Sequence, residues 1–289
     1  MSTPAFRHSV PWGLVVCTLA AAGYVCIEGT LEASGAQQAG VQPKVRLNKI
    51  IDAIENGRAA MRGEDWVWFD FEHAPFVMSD VAQRLAAVIK DKDASGRPKT
   101  TPLVRIPGEG DEDFRWMVKQ VLDQGTFGVI FPHMETKEQA LNAVRAMRYP
   151  PLRTSKYPEP RGLRGHGPGR PATLWALPVQ EYIERADVWP LNPQGELIAM
   201  MMLESVEGIK NAKEIMQVPG VSAVLVVPGD LGMSLGLPEN TTGTNYPEVD
   251  MAWQSVLKTC IALKKVCAVI DTVERNSKKR VAEGYKIVG

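Results

Sequence analysis

The strongest constraint on this chain is a rhythm. Short apolar runs suited to buried strands alternate with segments of helical period, from near residue 47 to the last residue. The clear strand-like runs are 66–70 (WVWFD), 102–107 (PLVRIP), 127–131 (FGVIF), 197–203 (LIAMMML), 221–227 (VSAVLVV), 266–270 (VCAVI) and 285–288 (YKIV). A very short eighth, 58–61 (RAAM), precedes them. Helical period fills the intervals at 47–56, 79–90, 111–122, 135–148, 179–186, 249–263, and in segments reaching 216 and 282.

Such alternation produces parallel strands joined by right-handed crossovers. Eight strand–helix units in about 240 residues predict an α/β fold, a (β/α)8 TIM barrel. A doubly wound open sheet is the alternative. No GxGxxG follows a strand and no GxxxxGK[ST] occurs, which counts against nucleotide-binding versions of that sheet. Two long segments interrupt the rhythm: 150–176, containing RGLRGHGPG, and 232–248. Loops of that length inside a compact domain are usually functional or disordered.

The 45% hydrophobic content is enough for one full-sized core. Formal net charge is zero and no basic stripe occurs, so nucleic acid is not an expected partner. Residues 10–27 are almost wholly apolar, preceded by Arg7 and His8 and followed by the small-residue stretch Ala33–Ala36. This order is that of a secretory signal peptide spanning 1–36, and it predicts export to the periplasm or medium. A membrane anchor, or a cytoplasmic protein with a start placed too early, are the alternatives. Residues 37–45 read as a linker and 46–289 as the barrel domain. Cys260 and Cys267 show no CxxC spacing, so no zinc site is expected; they are read as buried thiols, a disulfide being the alternative.

In a parallel barrel the carboxyl ends of the strands converge on one site. Those ends carry Asp70 with His73, then Arg105, His133, Glu204 and Asp230. Glu204 follows Met200-Met201-Met202-Leu203, and a carboxylate capping so apolar a strand needs a cation. Glu204 and Asp230, on successive strands, suit an oxygen-loving divalent ion such as Mg²⁺ or Mn²⁺, with Co²⁺ as a further candidate. Arg105 is a fixed positive charge able to hold a carboxylate or an enolate oxygen. Asp70 and His73 form a candidate orienter and base. Gly229 lets backbone N–H groups approach an anion. His133, His166 and the two long loops are candidates for shaping the rest of the substrate site. No lysine sits at a strand end, which disfavours a Schiff-base mechanism.

These residues fall in motifs. Phe69-Asp70-Phe71-Glu72-His73-Ala74-Pro75, Pro102–Arg105, Arg148-Tyr149-Pro150-Pro151 followed by Gly162–Gly165, Met202–Gly208, and Val218–Val221 leading to Pro228–Leu231 together resemble the HpcH/HpaI aldolase (citrate lyase) family. The EHAP segment is similar to the class II pyruvate aldolase branch. The resemblance covers about residues 46–289 and implies a TIM barrel that assembles into trimers or hexamers. It implies metal-dependent retro-aldol cleavage of a 4-hydroxy-2-oxo acid to pyruvate and an aldehyde, with oxaloacetate-type decarboxylation, or a non-catalytic oxo-acid or metal-binding role, as alternatives. It assigns Glu204 and Asp230 to the metal, His73 with Asp70 to the base, Arg105 to the pyruvate enolate, and the backbone at Gly229, beside Asp230, to the pyruvate carboxylate.

Four departures accompany the resemblance. Phe71 replaces a small residue, and Met202 stands where a substrate-binding glutamine is common. The first strand–helix unit is shortened and the eighth helix is missing after Gly289.

Overall fold

A computed structural model describes residues 45–289. The expected signal segment, and all but the last residue of the linker, lie outside the described residues. No described helix is long and apolar enough to cross a membrane.

The chain enters through helix α1 (Lys49–Glu55), then strand β1 (Ala60–Met61) and β2 (Trp66–Asp70) with no helix between them. There follow α2 (Met78–Lys90), β3 (Thr101–Arg105), α3 (Arg115–Asp123), β4 (Gly128–Phe131) and α4 (Lys137–Met147). The long 150–176 segment ends in α5 (Gly169–Trp175), and α6 (Val179–Arg185) leads to a two-residue strand, β5 (Val188–Trp189). The central strand β6 (Leu197–Leu203) precedes α7 (Val206–Lys210), α8 (Ala212–Gln217), β7 (Ala223–Val226) and α9 (Gly229–Ser234). The chain closes with α10 (Pro247–Leu263), β8 (Val266–Val269), α11 (Ser277–Glu283) and β9 (Ile287–Val288).

Eight strands follow one path, β1-β9-β8-β7-β6-β4-β3-β2, and every neighbouring pair on it is parallel. The two ends of that path meet only at a single bridge, Arg62 to Trp66. The expected barrel is therefore present and nearly closed, with its seam between β1 and β2. The seam has a local cause. Only four residues separate β1 from β2, too few for a crossover helix. Asp65 holds the short turn, accepting from the backbone N–H of Met61 and pairing with Arg58 at 2.7 Å.

Strand alternation sorts side chains into two layers. Along β6, Leu197, Ala199, Met201 and Leu203 join the outer core against the helices. Ile198, Met200 and Met202 point inward to meet Trp66, Leu103, Ile130, Leu225, Ala268 and Ile287. Ile50, Ile51 and Ala53 of α1 belong to that interior cluster, so α1 plugs the barrel. Asn48 sets the plug at the amino ends of the strands. Its Nδ2 donates to the carbonyls of Phe127 and Glu196, just ahead of β4 and β6, and its Oδ1 caps α1 by accepting from Ile50 and Ile51.

Four local expectations are corrected. The helix expected from 111 begins at Arg115. The 150–176 segment contains a helix, α5, closed by the left-handed Ala176. Asp230, expected at the end of the 221–227 strand, lies instead in the first turn of the short helix α9. Cys260 and Cys267 are not free thiols; they form a disulfide joining the end of α10 to β8, with Cα atoms 6.0 Å apart. Their seven-residue spacing spans a helix end and a strand start, a turn whose closure the sequence does not encode.

Candidate active site

The inward alternation of β2 and β3 continues past their ends. Asp70 and Arg105 are register partners, and Arg105 donates through Nε to Asp70 Oδ1 at 2.8 Å and through Nη2 to Asp70 Oδ2. Two residues on, Glu72 also turns inward and its Oε2 meets Arg105 Nη1. The guanidinium lies over the Trp68 ring, 4.7 Å from its centre, with the Met202 sulfur 3.8 Å from Nη1. Arg105 is buried, and two carboxylates, a ring face and a thioether hold it rigidly. Burial opposes the charged form of Asp70, but the hydrogen bonds and charge of Arg105 outweigh it and hold this carboxyl below the usual carboxylate range.

Glu204 continues the inward face of β6 and is 1% exposed. Pro132 ends β4, and His133 then takes a left-handed backbone conformation, φ 52°. A side chain rarely adopts it, and such residues cluster at functional sites. Here the turn aims two groups of His133 at neighbours. Its backbone N–H donates to Glu204 Oε1 at 2.7 Å. Its imidazole lies between two carboxylates, with Nε2 3.0 Å from Glu72 Oε1 and Nδ1 3.6 Å from Glu204 Oε1. The capping box of Thr136 and Gln139 fixes the start of α4 directly behind this turn.

The electrostatics follow from that placement. Glu72, with burial working against it, raises the His133 imidazole to about 9. Burial, with the charges of Glu72 and Asp230 adding to it, pushes the Glu204 carboxyl up to about 7. Asp230 therefore stands close enough for its field to reach Glu204.

The donor set fits a divalent ion. Glu204 Oε2 is buried without a hydrogen-bond partner, and the Glu72 oxygens, though in ion pairs, accept no well-aligned hydrogen bond. Single donor atoms of Glu72, His133 and Glu204 lie within 4.8 Å of one another. Unspent lone pairs on buried carboxylates are costly unless a cation meets them.

The other expected residues are placed as follows. His73 is 63% exposed at the mouth, its Nε2 3.5 Å from Glu72 Oε2. The carboxylate beside it is thus Glu72, while Asp70 is bound to Arg105. Met202 is buried beneath Arg105. Gly229 is open to solvent at the start of α9, and a Cβ there would meet nothing within 4 Å. It borders a cleft of about 80 Å³ that also includes Asn240, Asn245, Tyr246 and Thr272. A larger cavity of about 390 Å³ lies between Arg148–Tyr157 and Ile183–Asn192 and contains none of the clustered residues. His166 is exposed in the segment before α5. Sequence reasoning missed the part played by Glu72. The period-2 alternation through Asp70 was the signal that could have found it.

A nearly closed parallel barrel with a cation and several carboxylates gathered at the carboxyl ends of its strands defines an α/β-barrel enzyme. The chain belongs to the HpcH/HpaI aldolase/citrate lyase family, whose sequence profile matches residues 52–289. It is 30% identical over 231 residues to a 2-keto-3-deoxy-L-rhamnonate aldolase from Klebsiella pneumoniae, covering 80% of this chain and 75% of that protein. It is 32% identical over 230 residues to a hydroxypyruvate/pyruvate aldolase from Delftia acidovorans, covering 79% of this chain and 74% of that one. A crystal structure of an HpcH/HpaI aldolase/citrate lyase family protein from Burkholderia cenocepacia superposes with a TM-score of 0.62 at 28% identity, covering 83% of this chain and 81% of that one.

Proposed function

We propose that this protein is a divalent-metal-dependent carbon–carbon lyase that cleaves a 4-hydroxy-2-oxo acid into pyruvate and an aldehyde. The observation that carries this reading is the meeting of Arg105, Glu72 and the fully buried Glu204 at the ends of three strands, with Glu204 Oε2 left unpartnered. The aldolases named above support it, since a 2-keto-3-deoxy sugar acid is itself a 4-hydroxy-2-oxo acid.

Glu204 and Asp230 would hold the ion, which when bound supplies a Lewis acid to the 2-oxo acid. His73 takes the proton of the C4 hydroxyl, with Glu72 orienting the imidazole. The C4 oxygen becomes the aldehyde carbonyl as the C3–C4 bond breaks, and that bond's electron pair passes into the pyruvate enolate. Arg105, fixed by Asp70 and Trp68, offsets the enolate charge without reorganising. A proton delivered to C3 completes pyruvate. The cleft beside Gly229 offers Asn240, Asn245 and Thr272, polar groups suited to a hydroxylated aldehyde.

Export and assembly into a homo-oligomer belong to the same reading. The Cys260–Cys267 disulfide supports an oxidising compartment.

The test is pyruvate release from 4-hydroxy-2-oxo acids. Activity should vanish in EDTA and return with Mn²⁺, Mg²⁺ or Co²⁺. Activity that survives EDTA and is trapped by borohydride would overturn the reading.

A further inference from the structure

We propose that the His133 imidazole donates a nitrogen to the metal, so that the site is a mixed nitrogen–oxygen centre selecting later divalent ions over Mg²⁺. This rests on the metal-dependent reading above and deepens it.

Three observations carry it. The left-handed turn at His133 places its imidazole, not only its backbone, against Glu204. A donor atom from each of Glu72, His133 and Glu204 falls within 4.8 Å of the others. Donors each about 2.0–2.2 Å from one ion stand about 3–4 Å apart, so modest adjustment closes this set on a metal. Finally, Glu204 is 1% exposed and its Oε2 has no hydrogen-bond partner. A buried, unpartnered carboxylate oxygen beside an imidazole is an invitation to a cation that takes both.

The donor chemistry then sets preference. Carboxylates alone suit Mg²⁺ and Mn²⁺, whereas an imidazole favours Co²⁺, Ni²⁺ and Zn²⁺, following the usual order of divalent affinities. Mg²⁺ gains little from nitrogen and keeps its water shell. The His133 ring, by leaving its ion pair with Glu72 Oε1 to bind the metal, frees that oxygen for the same ion, while Glu72 Oε2 stays with Arg105 and faces His73.

The experiment uses the full chain. Electron spin-echo spectroscopy of the Mn²⁺-loaded protein should show the modulation of one directly bound imidazole nitrogen. Calorimetric titration should show Co²⁺ binding at least about a hundredfold tighter than Mg²⁺. In His133→Asn the nitrogen signal should disappear. Co²⁺ affinity should fall about ten- to a hundredfold, with Mg²⁺ affinity changed far less. Asparagine is chosen because it tolerates the left-handed backbone, so the Glu204 contact from residue 133 is kept. Metal that binds the wild type and depends on Glu204, yet shows no nitrogen coupling, would overturn this inference and leave the lyase reading intact. A nitrogen signal that persists in His133→Asn would also overturn it, pointing to His73. A protein that binds no divalent ion at all would overturn both.

Discussion

Arg105 and Asp70 face each other as register partners across β2 and β3, and their side chains join in a bidentate ion pair inside the barrel. Thirty-five positions of chain separate them. The pairing uses up the carboxylate that sequence reasoning gave to His73, and it turns Arg105 into a preset cation.

That pairing makes Arg105 sensitive to shape as well as charge. Lysine keeps the charge but lacks the planar fork that grips Asp70 and Glu72 together. Arg105→Lys should lower kcat/KM for cleavage about a hundredfold while leaving metal affinity within a few-fold. Arg105→Ala should also destabilise the fold by about 3–5 kcal/mol, because Glu72 is left charged in a nearly buried position. Steady-state kinetics, metal titration and urea denaturation of the two variants check this.

The raised values of Glu204 and His133 give stability a definite slope against pH. An acid whose folded value lies above its unfolded one takes up a proton on folding, so stability falls as pH rises between the two. For Glu204 the interval runs from 4.5 to about 7. His133 contributes stability that is fully present below 6.5 and lost as pH rises through about 9, with Glu72, Glu204 and Glu109 as its charged neighbours. Both effects act in one direction. In EDTA, urea midpoints should drop steadily from pH 5 to pH 9. Glu204→Gln should remove most of the drop below pH 7 and abolish divalent-ion binding. A saturating ion should stabilise the wild type more at pH 8 than at pH 5, since binding requires the ionised carboxylate. Asp70 does not compete in this window, because its lowered value matters only as pH falls below 3.8.

Asn48 supports the barrel far from the chemistry. Asn48→Ala removes the cap of α1 and the two donations to the carbonyls of Phe127 and Glu196, leaving buried groups unpaired. Stability should fall by about 2–3 kcal/mol, with metal affinity unchanged. Loss of metal binding in a folded Asn48→Ala protein would contradict a separation of the plug from the site.

The Cys260–Cys267 bridge closes a short loop, with a sequence separation of 7. Restricting so short a loop in the unfolded chain contributes about 2.5 kcal/mol. Oxidised protein should carry no thiol reactive under denaturing conditions at these positions, and reduction should lower the urea midpoint accordingly. Equal midpoints with and without reductant would show that the bridge does not stabilise the fold.

The sequence by itself determined the barrel and most of what faces into it. Apolar runs at regular intervals specify parallel strands, and a side-chain period of two carries Asp70, Arg105 and Glu204 to the interior whatever the details of packing. The family resemblance exposed the shortened first unit, since the residues between 57 and 66 cannot hold a crossover helix. Only the tertiary structure decided who pairs with whom. Register across β2 and β3 assigned Asp70 to Arg105, and left Glu72 beside His73. A left-handed residue at the end of β4 brought His133 between Glu72 and Glu204. Local pattern fixes the direction a side chain takes. Its partner depends on strands distant in sequence, and on a turn whose geometry no local propensity favours.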